Sequence, residues 1–77
     1  MTTHIQALIL SKDFLNRRQA ESWIRRHPRF KVMKTDEKPK TYRFRLRTPD
    51  ETRYEYKIKP FTDGVKAVIG VPFYQMY

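Results

Sequence analysis

The chain has no cysteine, so it forms no disulfide and offers no thiolate to a zinc ion. Two glycines in 77 residues leave no room for a Gly-rich linker, an RGG-type segment or a phosphate-cradling loop. Long apolar runs are also missing. The best stretch, "IQALIL" (Ile5 to Leu10), is too short for the core of a signal peptide or for a membrane span. With no thiol to protect and no such span, the sequence points to a cytoplasmic protein with no membrane partner.

Groups for catalysis are equally few. Two serines and two histidines, His4 and His27, do not make a nucleophile–base set. The carboxylates gather as Asp36-Glu37 and Asp50-Glu51, where solvated turn residues normally lie. A lone Asp-Glu pair is not a metal site without further ligands. The expectation is a non-enzyme with no catalytic residues, no metal and no cofactor.

Negative charge is the last scarcity. Eight Asp and Glu face seventeen Lys and Arg, giving a net charge of +9 and an isoelectric point near 10.2. That balance points to a polyanionic partner, with DNA or RNA first. Five Phe, five Tyr and one Trp argue for a packed core and against a disordered basic tail. The length suits a single domain, residues 1–77, ending in a short aromatic tail, 71–77.

Periodicity divides the chain into elements. Ile5 to Leu10 is apolar on both sides and reads as a central strand. Asn16 followed by Gln19 has the form of a capping box. Ala20, Trp23, Ile24 and His27 then fall on one stripe of a helix expected over residues 17–27, stopped by Pro28. "RFKVMK" (Arg29 to Lys34) reads as a strand and "TDEKPK" (Thr35 to Lys40) as a loop. "YRFRLR" and "RYEYKIK" read as the arms of a β-hairpin about a type I turn at Thr48-Pro49-Asp50-Glu51. Asp63-Gly64 makes the next turn, and "VKAVIG" (Val65 to Gly70) is the last strand, expected beside the first. The order β-α-β-β-β-β describes a two-layer α+β fold, with one amphipathic helix on a mostly antiparallel sheet.

Side chains alternate between the faces of a strand. If the helix covers Tyr42, Phe44, Leu46, Tyr54, Tyr56 and Ile58, the far face presents Arg43, Arg45, Arg47, Arg53, Lys57 and Lys59, relieved only by Glu55. Those six are the candidate phosphate contacts. The bland reading is a solvated, edge-blunting surface. A secondary basic patch, Arg18, Arg25, Arg26 and Arg29, lies on and after the helix, where a solvated helix face is the simpler account. His27 reads as a packed or C-terminal helix histidine. On this arrangement aromatic and basic residues occupy opposite faces, which argues against a stacking platform of the RNA-recognition type.

Ser11-Lys12, Phe14, Ala20, Trp23 and His27, then "YRFR" (Tyr42 to Arg45) and "GVKAVIGVP" (Gly64 to Pro72), occur in one order along most of the chain. Together they resemble small domains of unassigned activity encoded by tailed phages and prophages, in or beside prohead-protease open reading frames. The sequence departs from that pattern at Pro28, where glycine is usual, and at Leu46, where Gln is expected after "RFR". The resemblance implies an origin rather than a mechanism: a small phage accessory protein acting by binding a macromolecule.

Three readings follow. The first is a nucleic-acid-binding module contacting phosphates through its basic sheet face. The second is a protein-interaction module that docks on an acidic host or virion protein through that face or through Phe73, Tyr74 and Tyr77. The third is a homodimer paired through an edge strand.

Overall fold

The computed structural model describes residues 3–73. Strand β1 (His4–Ser11) is followed by helix α1 (Arg17–Arg25), then β2 (Lys34–Glu37), β3 (Thr41–Arg45), β4 (Tyr54–Thr62) and β5 (Val65–Pro72). The five strands form one sheet in the order β2-β3-β1-β5-β4, with every pairing antiparallel. The fold is α+β, one helix on one sheet, and β1 lies at the centre with β5 beside it, as the apolar pattern of both strands predicts.

The helix begins where its capping chemistry dictates. Asn16 Oδ1 accepts the Gln19 N–H at 2.8 Å, and Gln19 Oε1 accepts the Asn16 N–H at 2.9 Å. It ends at Arg25, two residues before His27: the Arg26 N–H still makes the helical bond to the Ser22 carbonyl, but the His27 N–H bonds the Ile24 carbonyl three residues back, which tightens the last turn and closes the helix. His27 is packed, as expected: its Nδ1 lies 2.7 Å from the Trp23 carbonyl and its ring stacks on Trp23. Ala20 and Trp23 bury against Leu8, Leu10, Tyr42, Phe44, Val65 and Ala67, which form the main core on one side of the sheet.

The hairpin expected between the two alternating arms does not form. β3 pairs with β1 and β2, while β4 pairs only with β5 at the far edge. A hairpin of those arms would set like charges directly opposite one another. In the observed pairing, Arg43 instead faces Asp36 across the β2–β3 ladder. Residues 46–53 therefore travel along the end of the sheet, held to Gln6. The Gln6 carbonyl accepts the Leu46 and Arg47 N–H groups, and Gln6 Nε2 donates to the Arg47 carbonyl at 2.8 Å. The turn in this segment falls at residues 51–53, later than the expected Thr48-Pro49-Asp50-Glu51, and starts from Asp50, whose Oδ1 accepts from the Thr52 N–H and hydroxyl and whose carbonyl accepts the Tyr54 N–H.

The third element is also displaced. Phe30 and Val32 do pack on the core, but residues 29–33 are irregular and the strand runs through the expected loop, Lys34–Glu37. Its hairpin to β3 turns at Lys38 to Thr41, with Pro39 in the bend. Asp63-Gly64 does make the β4–β5 turn, with Gly64 at φ +75°, where a side chain is strained. β5 takes in Val71 and Pro72 from the expected tail. The Phe73 N–H bonds the Arg53 carbonyl. Tyr74 and Tyr77 lie outside the described residues.

Candidate nucleic-acid interface

A helix is about 10–12 Å wide and strands stand about 4.8 Å apart, so one helix covers about two strands. Edge strand β4 lies at the limit of that width: Phe61, at a bulge near its end, sets its ring 6.0 Å from those of Trp23 and Phe30, while the apolar set before it points the other way. Tyr54, Tyr56 and Ile58 pair across the ladder with Pro72, Gly70 and Val68, while Lys57 and Lys59 pair with Ile69 and Ala67, which belong to the helix side. This reverses the expected assignment: Tyr54, Tyr56 and Ile58 are not beneath Trp23 and Ile24, and Lys57 and Lys59 are exposed on the helix side.

The helix-free face is consequently mixed. One row across the sheet runs Asp36, Arg43, Ile9, Lys66, Pro60; the next runs Lys34, Arg45, Ala7, Val68, Ile58. Farther along, His4 faces Gly70, which faces Tyr56. The His4 ring meets Tyr54 edge-on with centroids 4.6 Å apart. A Cβ on Gly70 would come within 2.7 Å of His4 and 2.9 Å of Tyr56, so glycine is what lets these rings lie on the sheet. The 46–53 segment reaches the same cluster, since the Asp50 N–H donates to the Tyr56 hydroxyl at 2.6 Å.

Charge on this face is only partly neutralised. Asp36 Oδ2 lies 3.0 Å from Arg45 Nε, and Oδ1 lies 3.8 Å from Lys34 Nζ. The Arg45 contact is off the hydrogen-bonding direction, so it is an ionic contact. Arg43 and Lys66 have no carboxylate partner among the described residues. Arg43 Nε is buried and makes no hydrogen bond. Its stem and that of Arg45 extend the apolar strip formed by Ile9 and Ala7. The two unpaired cations flank Ile9, about 9–10 Å apart at two strand spacings.

The six expected contacts are thus divided among three places. Arg43 and Arg45 share the helix-free face. Arg47 and Arg53 stand on the segment at the end of the sheet, both exposed, with Arg53 Nε 3.6 Å from Asp50. Lys57 and Lys59 are on the other side. Lys34, Arg45, Arg47 and Thr48 line a small cavity of about 130 Å³ at that end. The secondary patch is exposed on and after the helix. Arg25 occupies the last turn, where the helix dipole favours a cation, and the Arg29 guanidinium lies 4.8 Å from the Phe30 ring centroid. Both placements stabilise the fold without any ligand.

Lys66 escaped the sequence reading although its signal was present. In "VKAVIG", Lys66 alternates with buried Val65 and Ala67, which puts it on the face opposite the core. Two carboxylates held below their ordinary pKa lie elsewhere. Glu37 is held below the ordinary glutamate value first by a hydrogen bond from Lys12, then by the charges of Lys12 and Arg17. Asp50 is lowered chiefly by its hydrogen bond from the Thr52 hydroxyl.

Among the described residues no three His, Asp or Glu gather as a metal site, and no helix is long and apolar enough to cross a membrane. Comparison with known proteins gave no match: no family model fits the chain, and no curated protein or solved structure is significantly similar to it.

Proposed function

We propose that this protein is a small non-enzymatic module that binds nucleic acid through phosphate contacts on the helix-free face of its sheet. The observation that carries this reading is the row Arg43–Ile9–Lys66, two cations that make no ion pair with any carboxylate among the described residues, on either side of an apolar residue on the central strand. Rigid strands hold the charges at fixed spacing, and each phosphate neutralised releases counterions, so affinity is general rather than sequence-specific. Arg47 and the partly neutralised Arg45 and Lys34 extend the surface toward the end of the sheet. The resemblance to phage-encoded domains supports an accessory role in the host cytoplasm.

A salt titration of binding to labelled DNA and RNA, followed by fluorescence anisotropy, tests the reading. With Arg43, Lys66 and Arg47 each meeting a phosphate, log K falls against log salt with a slope of about −2.7 on duplex and about −2 on single strands. Absence of measurable binding at low salt overturns it. The second reading, docking on an acidic protein, is favoured by one specific feature: Phe73, 41% exposed, beside the edge strand that exposes Ile58 by 62%. Truncation after Pro72 separates the two, because it weakens a protein contact made there and leaves nucleic-acid affinity unchanged.

A further inference from the structure

The Arg43–Ile9–Lys66 row leads to a cavity at the end of the sheet where β1 gives way to the helix. Its volume is about 410 Å³, within the range of about 300–1,000 Å³ usual for small-ligand clefts. Phe14, Ile9 and Pro60 form its apolar walls, and Ser11, Thr41 and Asp63 are the polar groups beside them. Phe14 is 66% exposed, a large unburied surface for an aromatic ring in so small a protein. It sits against the β4–β5 turn, and a Cβ on Gly64 would lie 2.6 Å from its own Cβ. The ring is therefore braced by backbone on one side and open on the other. Lys66 lines the same cavity, so the cationic row and the aromatic wall belong to one continuous surface.

We infer that this cavity receives an unstacked nucleobase, so that the preferred partner is a single strand whose phosphates lie along Arg43 and Lys66. The inference rests on the nucleic-acid reading above and names the class of strand. Every base offers a π face to an aromatic ring, whereas in a duplex those faces are taken by neighbouring base pairs. The hydroxyls of Ser11 and Thr41 and the carboxylate of Asp63 suit the donors and acceptors of a base edge. The Ser11 oxygen already accepts the Asp13 N–H at 3.2 Å, which leaves its proton free to donate. The negative charge of Asp63 disfavours a phosphate in the cavity itself and keeps the backbone on the Arg43–Lys66 row.

Fluorescence anisotropy with short labelled single strands of DNA and of RNA, and with a duplex of equal length, tests this. The single strands bind more tightly than the duplex. Phe14→Ala lowers single-strand affinity about five- to 150-fold, the range of one base stacked on an aromatic ring, and leaves duplex affinity unchanged. Phe14→Tyr keeps the wild-type preference. Unaltered single-strand affinity in Phe14→Ala overturns the base pocket, as does an equal loss on duplex. If Phe14→Ala does not fold, Phe14→Leu decides by the same criteria, since it retains bulk and loses the ring. Strand-indifferent binding that depends on Arg43 and Lys66 but not on Phe14 removes the pocket and spares the phosphate surface. Failure to bind any of the three probes removes both.

Discussion

β3 and β4 are written in the same alphabet, aromatic residues alternating with basic ones, yet they face opposite ways. In β3, Tyr42 and Phe44 are buried under α1 while Arg43 and Arg45 line the helix-free face. In β4, Tyr54 and Tyr56 lie on the helix-free face while Lys57 and Lys59 extend into solvent on the helix side. The difference is position. β3 lies within the width that one helix shields; β4, at the edge, reaches Trp23 through Phe61, and Tyr54 and Tyr56 find their cover in the Gly70 cleft, the His4 ring and the 46–53 segment. A period-two pattern therefore separates two sets of residues without assigning either to the core.

The largest test of this contrast compares truncations in the two strands. Phe44→Ala, at a site 4% exposed, is expected to cost about 3–5 kcal/mol. A domain of this length has about 4–12 kcal/mol in total, so urea denaturation should find it close to unfolded. Ile58→Ala should stay within about 0.5 kcal/mol. Comparable losses at both sites would mean that β4 carries core after all.

Next in size is Gly70→Ala. Its added methyl runs into the His4 and Tyr56 rings and is expected to cost about 1–3 kcal/mol, read as a lower denaturation midpoint with unchanged slope. A neutral result would show that the rings are not seated over Gly70. Tyr56→Phe removes the hydroxyl that accepts the Asp50 N–H and should cost about 0.5–1.5 kcal/mol; the same substitution at Tyr42, for which no hydroxyl bond is seen, serves as the control.

Charge substitutions extend the comparison from stability to binding. Arg43→Gln is expected to reduce the salt slope of nucleic-acid binding by about one unit, and Lys59→Gln to leave it unchanged. Equal effects would place the ligand across the edge rather than on the helix-free face. The smallest effect concerns pH. Because the folded-state pKa of Glu37 is depressed, its contribution is present above the ordinary glutamate value of about 4.3 and is lost as pH falls through the lower folded value. The stability gap between wild type and Glu37→Gln should be small at neutral pH and close in acid. A gap that persists at low pH would assign Glu37 a role other than its contact with Lys12.

Some elements are legible in the sequence because their causes are local. The Asn16–Gln19 capping box, the Ala20–Trp23 stripe, the packed His27 and the Asp63-Gly64 turn each depend on residues a few positions apart, and a run apolar on both faces has to be a central strand. Residues 29–37 were harder. Phe30 and Val32 do turn inward, yet the strand forms where its backbone meets β3 and Asp36 meets the arginines, a pairing with no local signature. Gln6 is another such case: its side chain ties down Arg47, 41 residues away, and nothing near it announces that.

The candidate site divides along the same line. Arg43 and Arg45 were readable from alternation against a buried Phe44, but their company was not. Lys66 joins them through β1, and Phe14 joins through a turn that only the β4–β5 pairing brings near. The sequence by itself determined the class of fold, the helix and its cap, the central strand, and the excess of positive charge, since composition and short-range periodicity carry these. Only the tertiary structure decided which strands are neighbours, which way β4 faces and which cations share a surface. Strand register and the reach of a single helix over a sheet are set by contacts between residues far apart in the chain.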